Sequence, residues 1–199
     1  MRVTIVDIGC GNIASVAFAF ERLGAFVEIS NDARRIAKSP RVILPGVSAA
    51  GYAMAKIDSL GLRETICTLR QPTLGICLGM QLFFEQSEEG RVRCLGIVKG
   101  EVRKIDGAPD RPTPHMGWSR LNILQEKSTL AFGLENGAYV YFAHSYACEA
   151  GDTTVAMVDY GGAFAALCQS GNFFGCQFHP ERSGEVGAAV LSNFLAAPC

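Results

Sequence analysis

Short apolar runs alternate with helical patterns through the first 44 residues, and no other feature restricts the fold of this chain as much. Residues 3–7 read as a strand, 13–23 as a helix, 26–30 as a strand, 32–38 as a short helix and 42–44 as a third strand. Strands separated by helical segments pair in parallel, and the helices then cover both faces of the sheet. Residues 62–69 read as a further helix, leading to a fourth buried strand at 73–76 and an amphipathic helix over 78–85. In such a sheet the reactive end lies at the carboxyl ends of the parallel strands.

From Cys94 onward the rhythm changes. Strand-like segments follow one another without helices, at residues 95–105, 116–122, 138–146, 153–160, 164–169 and 173–177, so antiparallel or mixed pairing is expected there. Residues 106–114 carry three prolines and read as an irregular loop, and 185–197 close the chain as a helix. The expected fold class is therefore α/β: a mixed, mostly parallel central sheet flanked by helices, with added antiparallel strands in the second half. With 199 residues, 49% of them hydrophobic and 19% charged, and without an internal repeat or low-complexity tract, residues 1–199 read as a single domain.

The charge balance narrows the partners. A formal net charge of -1 without a dense Lys/Arg cluster offers no footprint for nucleic acid or for an anionic membrane. No apolar run reaches the roughly 18 residues of a membrane span, and residues 3–8 are strand-like rather than the start of a signal peptide. Eight cysteines are scattered without a C-x-x-C pair or clustering with histidine, the pattern of free thiols in a reducing cytoplasm with no structural metal. Cys199 is the last residue and so not the prenylated position of a lipidation box.

Within this frame one residue stands out. In Gly75-Ile76-Cys77-Leu78-Gly79-Met80-Gln81, Cys77 falls at the corner between strand and helix. Flanking glycines relieve the crowding of so tight a turn, as in the Gly-x-Ser-x-Gly elbow of hydrolases. Unpaired N–H groups at a helix start favour a thiolate and can hold a developing oxyanion. The same cysteine is equally compatible with a small buried hydrophobe.

A cysteine nucleophile needs a base and a group to orient it. Of the three histidines, His179 ends a strand in Gln177-Phe178-His179-Pro180-Glu181-Arg182-Ser183-Gly184. Positions two apart on a strand share a face, so His179 and Glu181 are expected to be neighbours in the manner of a Cys-His-Glu triad. His144 is a rival base or a binding residue, and Pro45-Gly46-Val47-Ser48 is either a plain turn or a source of N–H groups for a reacting carbonyl. Gly9-Cys10-Gly11-Asn12-Ile13-Ala14 matches the dinucleotide fingerprint G-x-G-x-x-A, yet the second strand ends Ile29-Ser30-Asn31, where a ribose-binding acid is required.

Together, GICLGMQ at 75–81, PHMGW at 114–118, HSY at 144–146 and FHPERSG at 178–184 resemble the class I, triad-type glutamine amidotransferases, over the whole chain. The resemblance implies that Cys77 attacks the side-chain amide of L-glutamine to give a glutamyl thioester and ammonia, with His179 as base and acid and Glu181 orienting it. It implies an oxyanion hole from the N–H groups of Leu78 and of Gly46 or Val47, and glutamine binding by Ser48, Gln81, Glu89, His144, Ser145 and Tyr146. No cofactor or metal is implied. The implied partner is a separate (β/α)8-barrel cyclase subunit that receives the ammonia, faced by Asn12, Trp118, Tyr141 and Arg182, and needed to set the oxyanion hole for full activity.

Ser48 stands where this family usually has glycine, and a side chain there resists positive φ at a cost of about 1 to 2 kcal/mol. Gly11 replaces another small residue, and Arg182 stands where some relatives carry lysine. Alternatives are an amidotransferase subunit serving anthranilate, purine or pyridoxal phosphate synthesis, a dinucleotide-binding domain, and a catalytically silent interaction subunit of the same fold.

Overall fold

The computed structural model describes residues 1–9 and 11–198; Cys10, within the dinucleotide-like run, and Cys199 lie outside the described residues. The first half runs β1 (Arg2–Val6), α1 (Ile13–Arg22), β2 (Phe26–Ser30), α2 (Ala33–Lys38), β3 (Val42–Leu44), α3 (Ala50–Ser59), α4 (Arg63–Cys67), β4 (Thr73–Ile76) and α5 (Leu78–Gln81). Next come β5 (Gln86–Ser87), β6 (Val92–Arg93), β7 (Glu101–Lys104), β8 (His115–Arg120), β9 (Asn122–Ile123) and β10 (Tyr139–His144). The chain ends with β11 (Tyr146–Cys148), β12 (Thr154–Asp159), β13 (Ala163–Ser170), β14 (Phe173–Cys176), a 3-10 turn (Pro180–Arg182) and α6 (Gly184–Ala196).

Eight strands form the main sheet in the order β2-β1-β3-β4-β14-β13-β12-β9. Pairing is parallel from β2 through β14 and antiparallel from β14 to β9, as the change of rhythm predicts. The parallel strands are apolar because both faces are covered. One core gathers Phe20 of α1, Phe194 of α6 and Phe142 of β10; the other gathers Ile36, Met54 and Ile66 from α2, α3 and α4. No helix among the described residues is long and apolar enough to cross a membrane.

The short strands β5 and β6 were not expected, the strands expected over 116–122 and 138–146 are each broken in two, and three larger differences from the sequence reading have physical causes. α3 is a helix that the reading left out, although Ala50, Ala53, Met54 and Ile57 carry the buried i, i+3, i+4, i+7 signature. The helix expected over 78–85 stops at Gln81, because Leu82, Phe83 and Phe84 are all buried and leave no polar face to continue it. Their carbonyls are taken instead by the N–H groups of Leu95, Gly96, Ile97 and Val98 at 2.8–2.9 Å. That exchange also removes residues 95–100 from the strand expected over 95–105, of which only β7 remains.

Candidate active site

The parallel pairing of β4 with β14 builds the site. Their register sets Ile76 beside Cys176, so the chain leaves both strands at the same point, and the N–H of Cys77 donates to the Cys176 carbonyl at 2.7 Å. Cys77 adopts φ 52° and ψ -111°, left-handed backbone that costs a non-glycine residue on the order of 1 to 3 kcal/mol. That strained corner is held on its other side by the N–H groups of Met80 and Gln81, which donate to the Cys77 carbonyl at 3.1 and 3.2 Å. Its glycines are required by contact: a Cβ on Gly75 would lie 2.6 Å from the backbone of Gly79, and one on Gly79 would lie 1.7 Å from the Leu44 carbonyl oxygen.

Past the end of β14, His179 is buried and its Nδ1 lies 2.8 Å from Oε1 of Glu181, whose side chain is only 2% exposed. The two are neighbours, but not as the strand argument expected. β14 ends at Cys176, and Pro180, with its fixed φ, starts the single 3-10 turn that brings Glu181 back under the imidazole. Ser183 fastens the turn: its hydroxyl accepts from the Tyr141 N–H at 3.0 Å and donates to the His179 carbonyl at 2.7 Å. Burial works against charge on His179, but hydrogen bonding to Cys77 and Glu181 and the negative charge those groups can carry outweigh it, lifting the imidazole to about 10. His179 thus holds a proton at neutral pH.

A cavity of about 390 Å³ opens in front of Cys77. Val47, Ser48, Leu78, Gln81, Glu89, His144, Ser145 and Tyr146, all named from the sequence, line it together with Pro114 and Met116. Gly46 lies against Leu78, whose side chain leaves no room for a Cβ there. As the first residue of α5, Leu78 has an N–H without an intrahelical partner. Ser48 is not among the described residues with positive φ, so this loop rests in a conformation that serine tolerates, and its buried hydroxyl has no partner among the described residues. Glu89 accepts from the Ala50 N–H at 2.8 Å, tying the cavity rim to the start of α3.

His144 is removed as a rival base. Burial pushes it down to about 3, and both its ring nitrogens are engaged, Nδ1 with the Tyr146 carbonyl at 2.7 Å and Nε2 with His115 at 3.1 Å. Three contributors carry no role in the sequence reading: His115, Ser183 and Gln177, whose Nε2 stands 3.7 Å from the Cys77 sulfur. The signal for Gln177 was present, a lone amide inside the apolar run from Phe173 to Phe178.

Outside the cavity, Trp118, Tyr141 and Arg182 form one stack. The two rings meet edge to face at 6.0 Å, and the guanidinium lies 4.6 Å from the centre of Tyr141. Trp118 is 54% exposed, so the stack leaves a large apolar group at the surface. Asn12 takes no part in it; its side chain accepts from the Ser15 N–H and caps α1. Around the dinucleotide-like run, Gly11 faces Gly46, and Asp32 caps α2 by accepting from the Arg35 N–H.

Comparison with known proteins places the chain in a family. The family model described as glutamine amidotransferase class-I matches residues 4–197. The imidazole glycerol phosphate synthase subunit HisH of Xylella fastidiosa strain Temecula1 is 49% identical over 194 residues, covering 98% of this chain and 96% of that protein. The subunit of the same name from Vibrio cholerae serotype O1 is 47% identical over 200 residues, covering 98% of each. Among solved structures, one described as a glutamine amidotransferase superposes with a TM-score of 0.75 at 16% identity, covering 98% of this chain and 97% of that one. PurLQS from Thermotoga maritima gives 0.69 at 21% identity, with 98% and 97% covered; at such identities the likeness is one of fold. With a family match over nearly its whole length and relatives almost half identical to it, this chain belongs to the class-I glutamine amidotransferases.

Proposed function

We propose that this protein is the glutaminase subunit of an imidazole glycerol phosphate synthase. It hydrolyses L-glutamine to L-glutamate and ammonia and passes the ammonia to a (β/α)8-barrel cyclase subunit, which makes imidazole glycerol phosphate and an aminoimidazole carboxamide ribotide in histidine biosynthesis. The observation that carries the reading is the convergence of Cys77, His179 and Glu181 at the ends of two adjacent parallel strands. The names of the relatives support the particular synthase.

In this reading the Cys77 sulfur attacks the side-chain carbonyl carbon of glutamine, and the charge that builds on its oxygen is met by the N–H groups of Leu78 and of Gly46 or Val47. His179 gives its proton to the departing nitrogen, so that ammonia leaves and a glutamyl thioester remains. A water that loses its proton to His179 then cleaves the thioester and restores the thiol site. Ser48, Gln81, Glu89, Ser145 and Tyr146 hold the amino and carboxylate ends of the substrate, and His144, both of whose ring nitrogens are engaged, contributes through its backbone and the cavity wall. The unpartnered Ser48 hydroxyl is suited to accept or donate one of those bonds. Trp118, Tyr141 and Arg182 are offered to the cyclase, with Asn12 at the start of α1.

The test is glutamate release from glutamine by the full chain, alone and with its cognate cyclase and the cyclase substrate. Turnover that rises on adding the partner supports the reading; its absence in both settings refutes it.

Glu181→Gln supplies a sharper expectation. Cys77 raises His179 most and Glu181 next, so losing the carboxylate charge lets the imidazole fall part of the way from about 10, and turnover drops by about 10²- to 10⁴-fold. The same shift governs stability. A histidine whose folded pKa exceeds its unfolded one stabilises fully below about pH 6.5, and that contribution is lost as pH rises toward 10. Melting temperatures of wild type should therefore decline between those values through this group, and the variant should show a shallower decline.

A further inference from the structure

An unbroken run of polar contacts joins β8 to the candidate nucleophile, and its far end has no part in the chemistry above. The Tyr146 carbonyl can only accept, so the hydrogen of the 2.7 Å contact sits on Nδ1 of His144. Buried and neutral, His144 then offers Nε2 as an acceptor, and Nδ1 of His115 must donate to it at 3.1 Å. His115 is neutral as well, pushed down to about 4 by burial, so its Nε2 takes the hydroxyl hydrogen of Ser119 at 2.9 Å. Both tautomers are thereby fixed.

On the other side, the same Tyr146 carbonyl accepts from Nε2 of Gln81 at 2.7 Å. The second hydrogen of that amide goes to Oε1 of Gln177 at 3.1 Å, which turns Nε2 of Gln177 toward the Cys77 sulfur. Meanwhile His115 is clamped face to face between Phe142 at 4.8 Å and Tyr160 at 3.8 Å. Stacking alone would be served by a plain aromatic ring, whereas the nitrogens of this one are both used.

We propose that His115 is a positioning residue of the glutaminase site: by donating from Nδ1 to His144 it holds the Tyr146 carbonyl where Gln81 and Gln177 orient the Cys77 thiol. This inference rests on the glutaminase reading. His115 touches neither the cavity nor the substrate, and acts through His144.

The discriminating pair is His115→Asn and His115→Gln, assayed in the full chain with the cyclase. The amide nitrogen of asparagine lies about where Nδ1 lies, and that of glutamine about where Nε2 lies. Asparagine should keep kcat/KM for glutamine within about 3-fold of wild type, whereas glutamine, although closer in size, should lose about 10- to 100-fold, with kcat falling as well as KM rising. His115→Phe, which keeps the stack and lacks both nitrogens, should match glutamine, and the ¹⁵N signal of His144 Nε2 should move toward that of a ring nitrogen that accepts no hydrogen bond, with Nδ1–H retained. A glutamine or phenylalanine variant as active as the asparagine one overturns the proposal, as does a His144 Nε2 signal unaffected by phenylalanine. Failure of all three to fold assigns His115 to packing and overturns it too. A wild-type complex that does not hydrolyse glutamine refutes the glutaminase reading itself; an active wild type with the wrong order of variants refutes only the role of His115.

Discussion

Cys77→Ala should hydrolyse glutamine at least about 10⁴-fold more slowly than wild type, with or without the cyclase, because no other group at the corner can form the thioester. Among the remaining described side chains lining the cavity, none combines a nucleophile with a neighbouring base: the Ser48 hydroxyl has no partner among the described residues, and His144 is committed on both nitrogens. The fold should survive. Alanine keeps the Cβ and the backbone bonds that hold the strained corner, so the melting temperature moves by only a few degrees, as expected for about 1 kcal/mol. Glutamine binding should persist in calorimetry, which separates lost chemistry from a lost site. Glutamate release near the wild-type rate would falsify the mechanism outright.

The second large effect is on folding. Gly79→Ala places a methyl carbon 1.7 Å from the carbonyl oxygen of Leu44, a backbone atom of β3 in the middle of the sheet. Neither side can yield without separating α5 from the strand beneath it, so the cost exceeds about 4 kcal/mol and soluble, cooperatively melting protein should not be obtained. Gly51→Ala is the control. It lies in α3 with open space around its Cβ position, and replacing a helical glycine there should stabilise by about 0.4 to 1 kcal/mol. A Gly79 variant that melts like wild type would mean that the elbow packs less tightly than 1.7 Å implies.

How far the sequence carries can be judged from the same residues. The parallel half was legible because each strand there is a short apolar run bounded by a helix, and Cys77 was legible because glycines on either side have few other uses. Period-two reasoning placed His179 beside Glu181 for the wrong cause, since proline converts the segment into a 3-10 turn. The run from Leu82 to Val98 was opaque. Its backbone groups are satisfied by one another across a gap of about a dozen residues, a non-local arrangement that no local period encodes. Gln177 and His115 were missed because a buried polar residue acquires meaning from what it touches, and their partners lie 100 and 29 positions away.

The pairing of β4 with β14 also sets a schedule. β14 is the last strand made, yet it lies between β4 and β13 in the middle of the sheet, and the thiol of Cys77 meets the amide of Gln177 across 100 residues. Contacts of such separation form slowly, and a ribosome delivers only about 5 to 20 residues per second. A nascent chain therefore carries the proposed nucleophile for seconds without its proposed base, at the end of an unfinished sheet. In the proposed mechanism ammonia production begins only after the chain has been released far enough for β14 to insert, so a truncated product is expected to be silent and to consume no glutamine unproductively.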